Sequence, residues 1–223
     1  MTRIIYYMYF NQLFFLLYIK LFMVVVVKKR FLNYCERIIR KNRKNISNDE
    51  LEVICYGLES LYLTLTKIIV ILILAILLGI FKEVIIMLIS YNIIRLFAFG
   101  LHSKTSFGCL VSSIILFIGG AYISMYLSFS IIIRIIGSII SVILIALYAP
   151  ADTEKRPLIN KGKRIRYKFY SIIISTIVSI LIIYYKNNIT NFLFVGLIEE
   201  VIMILPITYK ILGLSYNNYK TYK

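Results

Sequence analysis

Along most of this chain the polar residues punctuate long apolar runs instead of alternating with apolar positions. A helix needs about 20 mostly apolar residues to cross the hydrocarbon core of a bilayer. Runs of that kind predict spans at 54–81, 84–101, 107–127, 129–149, 169–185 and 192–214. Ahead of them lies another apolar run, 4–27, interrupted by Asn11, Gln12 and Lys20. It is too long and too aromatic for a signal peptide, and no small-residue cleavage site follows it. It reads as an extra span, an interfacial anchor, or a product of start-site choice with Met23 as the alternative start.

Residues 28–48 follow a different rule. Phe31, Leu32, Tyr34, Cys35, Ile38 and Ile39 recur at helical spacing among Lys28, Lys29, Arg30, Arg37, Arg40, Lys41, Arg43 and Lys44, with only Glu36 opposing them. That pattern predicts a basic amphipathic helix lying on the membrane surface. Ser47 or Asn48 then caps the next helix, with Asp49, Glu50 and Glu52 in its first turn. The expected architecture is all-α: a polytopic transmembrane bundle of about six spans. An N-terminal extension occupies 1–27, the amphipathic segment 28–48 and the transmembrane domain 49–223, with a basic loop at 150–168.

Composition supports the membrane reading. Hydrophobic residues make up 61% of the chain, against about 45–50% for a soluble domain, and the mean hydropathy is +0.86. The net charge of +16 raises the question of nucleic acid. The basic residues, however, lie between apolar runs, which marks cytoplasmic connections of a membrane protein touching anionic lipid. Two strongly basic segments flank four spans, and an even number of crossings returns the chain to the same side. Both segments and the connection between the second and third spans are then cytoplasmic. The Lys82–Glu83 turn, the Ser128 turn and the 186–191 loop fall on the other side.

The connection between the second and third spans holds the single histidine of the chain, His102, seven positions before Cys109. A thiol nucleophile needs a nearby base, and imidazole titrates in the right range. On a continuous helix seven residues rise about 10.5 Å, so a Cys–His dyad requires the chain to turn back between the two. Ser103, Lys104, Thr105, Ser106 and Gly108 suit such a turn, with Gly100 giving freedom before it. The spacing alone equally describes a polar loop with an incidental histidine and a buried cysteine.

Arg95 lies within a span, where a charge is costly and is commonly functional or paired, or snorkels to the interface. Glu59 sits early in the first of the six spans, as a group to orient His102, to pair with Arg95, or to face water. Of Glu199 and Glu200 in the last span, at least one is expected to meet a basic partner. Cys35, Cys55 and Cys109 show no paired spacing, which argues against a disulfide framework. No HExxH, serine elbow, aspartate pair, Walker loop or dinucleotide fingerprint is present, and three cysteines with one histidine make a poor zinc set. No metal or cofactor is expected.

The ordered set Arg95, Gly100, His102, Ser106, Phe107 and Cys109, then Tyr148-Ala149-Pro150-Ala151-Asp152-Thr153-Glu154-Lys155-Arg156-Pro157, then Gly196, Glu200 and Pro206, resembles the accessory gene regulator protein B (AgrB) family. The likeness runs from about Asn33 onward, and residues 1–30 have no counterpart in its pattern. The resemblance implies a membrane endopeptidase of quorum sensing that cuts the C-terminal part from an AgrD-like propeptide and promotes closure of a thiolactone or lactone ring. By position it implies Cys109 as nucleophile, His102 as base, and Arg95 and Gly100 as further important positions. Lys155, Arg156, Lys161 and Lys163 fall in the basic stretch that it expects to meet the propeptide. It allows a homodimer. A small membrane transporter or peptide exporter, with Arg95 and the buried glutamates lining a path, is the alternative that composition leaves open.

Overall fold

The computed structural model of the protein describes residues 27–43, 46–101, 105–154, 157–185 and 187–222. The readings placed on 1–26 lie outside the described residues. Among those described there is no strand, and a parallel bridge joins Phe99 and Ala151. The chain divides into two compact units, Met1–Gly79 and Ile80–Lys223.

In the first unit the amphipathic stretch forms helix α1, Lys28–Asn42, and the first of the six spans forms helix α2, Asn48–Leu77. Ser47 starts α2 with a capping box: its hydroxyl accepts from the Glu50 N–H, and the Glu50 carboxylate accepts from the Ser47 N–H. At 1.5 Å per residue α2 is about 45 Å long, enough to cross a bilayer. Phe31 stacks on Tyr62 with ring centroids 5.2 Å apart, and Lys28 Nζ lies 2.8 Å from Glu59 Oε1. These contacts lay α1 along the early turns of α2.

The second unit contains α3 (Phe81–Ala98) and then α4 (Ser106–Ile114), which runs through a π-helical turn (Ile115–Gly119) into α5 (Gly120–Tyr126). Next come α6 (Ile131–Tyr148), α7 (Lys161–Tyr184), α8 (Ile189–Ile204) and the short α9 (Pro206–Ile211). Helices thus occupy all six predicted spans. Four are long and apolar enough to cross a membrane: Asn48–Leu77, Phe107–Tyr126, Ile131–Tyr148 and Lys161–Tyr184. Of the remaining two, α8 has only 16 residues and holds Glu199 and Glu200, while α3 has 18 but carries Lys82, Glu83 and Arg95.

Polarity in this unit is arranged for lipid. Ile132, Ile136, Ile139, Ile143 and Leu147 form an exposed apolar stripe on α6, whereas its buried positions include Ser138 and Ser141. On α7 the buried residues include Ser171, Ser175 and Ser179. Lipid gives helices no hydrophobic reason to associate, so their contacts rely on small residues that let backbones approach. Ser141, for example, donates back to the Gly137 carbonyl at 2.7 Å. A Cβ at Gly196 would lie 3.1 Å from the Ser90 side chain, which donates to the Leu193 carbonyl across the α3–α8 contact.

Three boundaries depart from the predicted spans. The second span was expected to run to Leu101, but α3 ends at Ala98 because Phe99 and Gly100 adopt φ of 63° and 120°. The last was expected to be continuous over 192–214. Instead Leu205 is extended (ψ 133°) and Pro206 starts a new helix, since proline lacks an N–H and disfavours the α region for the residue before it. The Ile202 carbonyl that a continuous helix would have bonded to residue 206 accepts from the Thr208 hydroxyl at 2.7 Å. Finally, residues 161–168 of the expected basic loop form the first turns of α7, capped by the Asn160 side chain, which accepts from the Lys163 N–H.

Candidate active site

Cys109 sits in the first turn of α4. Thr105 caps this helix, its hydroxyl accepting from the Gly108 N–H at 3.0 Å and its carbonyl from the Cys109 N–H at 3.0 Å. The Cys109 carbonyl accepts from both Ser112 and Ser113. The cysteine is half-buried at the helix end where unsatisfied N–H groups favour nearby negative charge. Cys35, Cys55 and Cys109 are not in disulfides, and no group of His, Cys, Asp and Glu among the described residues is arranged to hold a metal ion.

His102, Ser103 and Lys104 lie outside the described residues, so the Cys–His distance is not defined. Both flanks of that short connection are fixed. On the far side stands the Thr105 cap. On the near side, residues 99–101 leave helical geometry, and residues 98–101 bond to two distant parts of the chain. The Ala151 N–H donates to the Ala98 carbonyl at 2.8 Å, the Gly100 N–H to the Ala151 carbonyl at 2.9 Å, and the Leu101 N–H to the Met203 carbonyl at 3.0 Å. The Met203 carbonyl is available because the extended Leu205 and then Pro206 interrupt the last span two and three residues beyond it.

Arg95 closes the arrangement. Its Nη2 donates to the Leu101 carbonyl at 2.6 Å and its Nη1 to Glu200 Oε2 at 3.2 Å, while its guanidinium carbon lies 5.2 Å from the centre of the Tyr91 ring. Glu200 is fully buried and the Arg95 side chain is 15% exposed. The expectation that one of the two glutamates meets a basic partner therefore resolves to Glu200. Gly100 is required here: a Cβ would stand 2.7 Å from Arg95 Nη1 and 3.1 Å from the Met203 carbonyl oxygen, at a φ that L-residues rarely adopt.

Beside Ala151, the buried carboxylate of Asp152 ties the 149–160 segment to the C-terminal residues. Its Oδ1 accepts from the Asn218 N–H at 3.0 Å. Its Oδ2 accepts from the N–H groups of Leu158 at 3.1 Å and Tyr219 at 3.0 Å, and from Arg164 at 3.4 Å. Arg164 in turn lies over the Tyr219 ring, 3.5 Å from its centre. The Tyr209 hydroxyl donates to the Ala151 carbonyl at 3.2 Å.

The predicted site residues fare differently. Arg95 and Gly100 meet. Glu59 bonds to Lys28, and the carboxylate on Arg95 is Glu200, not Glu59; a role for Glu59 toward His102 lies outside the described residues. Lys155 and Arg156 also lie outside them. Lys161 and Lys163 are exposed on the first turn of α7. Glu200 carried a sequence signal, an acid inside a span, but Lys67, Arg95 and Arg134 all lay in other predicted spans and none was singled out as its partner. Asp152, Tyr209 and the C-terminal residues stand out only once Gly100 and Ala151 are seen side by side.

The family model "Accessory gene regulator B" matches residues 32–204. An AgrB-like protein of Clostridium acetobutylicum is 34% identical over 187 residues, covering 82% of this chain and 90% of its own. Accessory gene regulator protein B of Staphylococcus aureus strain MRSA252 is 34% identical over 172 residues, 76% of this chain and 90% of its own. No solved structure matches.

Proposed function

The chain belongs to the accessory gene regulator B family, and we propose that it is a membrane cysteine endopeptidase of quorum sensing that cuts an AgrD-like propeptide. The observation that carries this reading is the placement of Cys109 in the first turn of a capped helix, one short connection beyond a backbone segment that is tethered at Ala98, Gly100 and Leu101. The single histidine of the chain occupies that connection.

In the proposed reaction the Cys109 thiol gives its proton to His102 as the sulfur attacks the scissile carbonyl carbon. The tetrahedral intermediate collapses with cleavage of the C–N bond, and the imidazolium returns the proton to the departing amine. What remains is a thioester between Cys109 and the N-terminal part of the propeptide. An internal thiol or hydroxyl of that peptide then attacks the thioester carbonyl and expels the Cys109 sulfur, closing a thiolactone or lactone. A membrane-embedded site serves this second step by limiting the water that competes for the thioester. The exposed cations Lys161 and Lys163, continuous in sequence with Lys155 and Arg156, favour an acidic segment of the propeptide. On this reading the protein is a multi-pass protein of the cell membrane, its site faces the cytoplasm, and it works alone or as a homodimer.

Co-expression with a tagged candidate propeptide, comparing the wild type with Cys109→Ala, tests the reading. The wild type is expected to yield a shortened peptide and Cys109→Ala none, with both proteins present in the membrane. Equal processing by the two would remove Cys109 from the chemistry and leave a peptide transporter as the better account.

A further inference from the structure

We propose that Cys35 and Cys55 are a redox-active thiol pair, which a low-molecular-weight disulfide closes into a bond that clamps α1 to α2. The inference stands apart from the cysteine-peptidase reading, and its test needs no propeptide.

The two cysteines are twenty residues apart, a spacing that carries no meaning until the register of the two helices is known. α1 ends at Asn42 and α2 begins at Asn48, so helices that pack together across so short a connection run antiparallel. Two contacts set their register: Phe31 stacks on Tyr62, and Lys28 bonds to Glu59. One helical turn from Phe31 toward the connection lies Cys35, and one turn from Glu59 toward the same connection lies Cys55. Cys35 shares the half-buried face of α1 with Phe31, Leu32 and Ile39, whereas Lys29, Arg30, Arg37 and Lys41 are exposed. The two thiols therefore occupy the next layer of the hairpin. Cys55 stands within electrostatic reach of Cys35, as it does of Glu36 and Arg40. Both cysteines are free and half-buried.

That layer suits a disulfide. Packed helices lie about 8–10 Å apart axis to axis, with each Cα about 2.3 Å from its own axis. Facing residues thus bring their Cα atoms into the range of about 4.4–6.8 Å that the bond spans. Closure is a two-step exchange. One cysteine thiolate attacks a sulfur of the external disulfide and expels one half of it as a thiolate, leaving a mixed disulfide on the protein. The other cysteine thiolate attacks the protein sulfur of that mixed disulfide and expels the second half. The pair gives up two electrons, and its two thiol protons pass to the two departing thiolates.

The bond changes how firmly α1 is held. In the reduced protein α1 has no fully buried residue, and its ion pair with α2 touches solvent at both ends, where such pairs contribute little. A covalent link one layer away removes the separated state altogether. On the cytoplasmic reading of this segment the pair rests reduced, and closure is a transient response to oxidising conditions.

The full-length protein in detergent is treated with glutathione disulfide, quenched with acid, alkylated and mapped by mass spectrometry, alongside Cys35→Ser, Cys55→Ser and Cys109→Ser. The wild type and Cys109→Ser are expected to yield a pair of peptides joined through Cys35 and Cys55, which dithiothreitol separates. Cys35→Ser and Cys55→Ser should each stop at a glutathione mixed disulfide on the cysteine that remains. Trypsin should cut at the basic residues of α1 several times more slowly in the oxidised wild type than in the reduced protein, with no such difference in Cys35→Ser. A wild type that stops at mixed disulfides as the single variants do, or that links Cys35 or Cys55 to Cys109 instead, would overturn the proposal. A Cys35–Cys55 bond with an unchanged trypsin rate would overturn the clamp. The wild type alone decides both results, so a variant that fails to accumulate leaves the test intact.

Discussion

Asp152 and Glu199 are both carboxylates withdrawn from solvent, 1% and 6% exposed, yet the protein treats them in opposite ways. Asp152 is saturated: three backbone N–H groups and Arg164 converge on its two oxygens. Glu199 lies against the α5 backbone at Gly120, where a Cβ would collide with its carboxyl oxygen, and its Oε2 meets no donor among the described residues. Buried polar groups are nearly always bonded, and each exception calls for a reason. A saturated carboxylate explains itself by what it holds together, here the segment after Pro150 and the C-terminal residues. An idle oxygen inside a helix bundle adds nothing to stability that an apolar side chain would not add better. The contrast separates acids that serve the fold from acids the fold does not account for.

The largest effect is expected at the saturated centre. Asp152→Ala leaves three buried or half-buried N–H groups and Arg164 without an acceptor. Breaking a buried pair by removing one partner costs about 3–5 kcal/mol, so the variant should lose much of its resistance to heat in detergent, with the C-terminal residues becoming open to protease. Asp152→Asn, which keeps acceptor oxygen but not charge, should fall between the two. A thermal transition for Asp152→Ala matching the wild type would show that the C-terminal residues are held by other contacts.

The same contrast explains how much of the molecule could be read in advance. Spans announce themselves because each is a run of apolar side chains, and all six predicted segments are helical. The start of the expected basic loop does meet the end of the second predicted span, since Ala151 bonds to both Ala98 and Gly100. The elements that fix the site are of another kind. The hold on Leu101 is made by main-chain groups of Ala151 and Met203, and a backbone carbonyl leaves no mark in the sequence. Pro206 was visible, but its consequence, the separation of α8 from α9 beside the Met203 carbonyl, depends on which distant N–H arrives there. Arg95 and Gly100 stood out as unusual residues for their places; the choice of Glu200 over Glu59 as the partner of Arg95 depended on packing that residue types do not specify.

At the unsaturated centre the sign should reverse. Glu199→Met replaces a carboxyl whose Oε2 meets no donor among the described residues with an apolar side chain of similar length, and so removes the cost of an unsatisfied buried polar group, about 1–3 kcal/mol. The expected outcome is a thermal transition equal to or above that of the wild type, measured under the conditions used for Asp152→Ala. Propeptide cleavage by the same variant then sharpens the contrast. Raised stability with lost cleavage would mark Glu199 as an acid kept for the reaction, whereas raised stability with full cleavage would leave it without a part in either. A lowered transition would show that its carboxyl supports the fold after all.

The smallest effect belongs to the acid that looked most relevant in the sequence. Glu59 is 37% exposed, and its Lys28 partner is 27% exposed. Pairs in contact with solvent contribute about 0–1 kcal/mol and weaken with salt. Glu59→Gln should therefore shift the thermal transition only slightly, and Lys28→Gln by a similar amount. Because each variant breaks the same contact, the double variant should lose no more than the sum of the two singles. Propeptide cleavage should be retained in all three, since the carboxylate that fixes Arg95 is Glu200. Loss of cleavage in Glu59→Gln with retention in Lys28→Gln would show a part for this carboxylate beyond its bond to Lys28, and would restore the possibility that it orients His102.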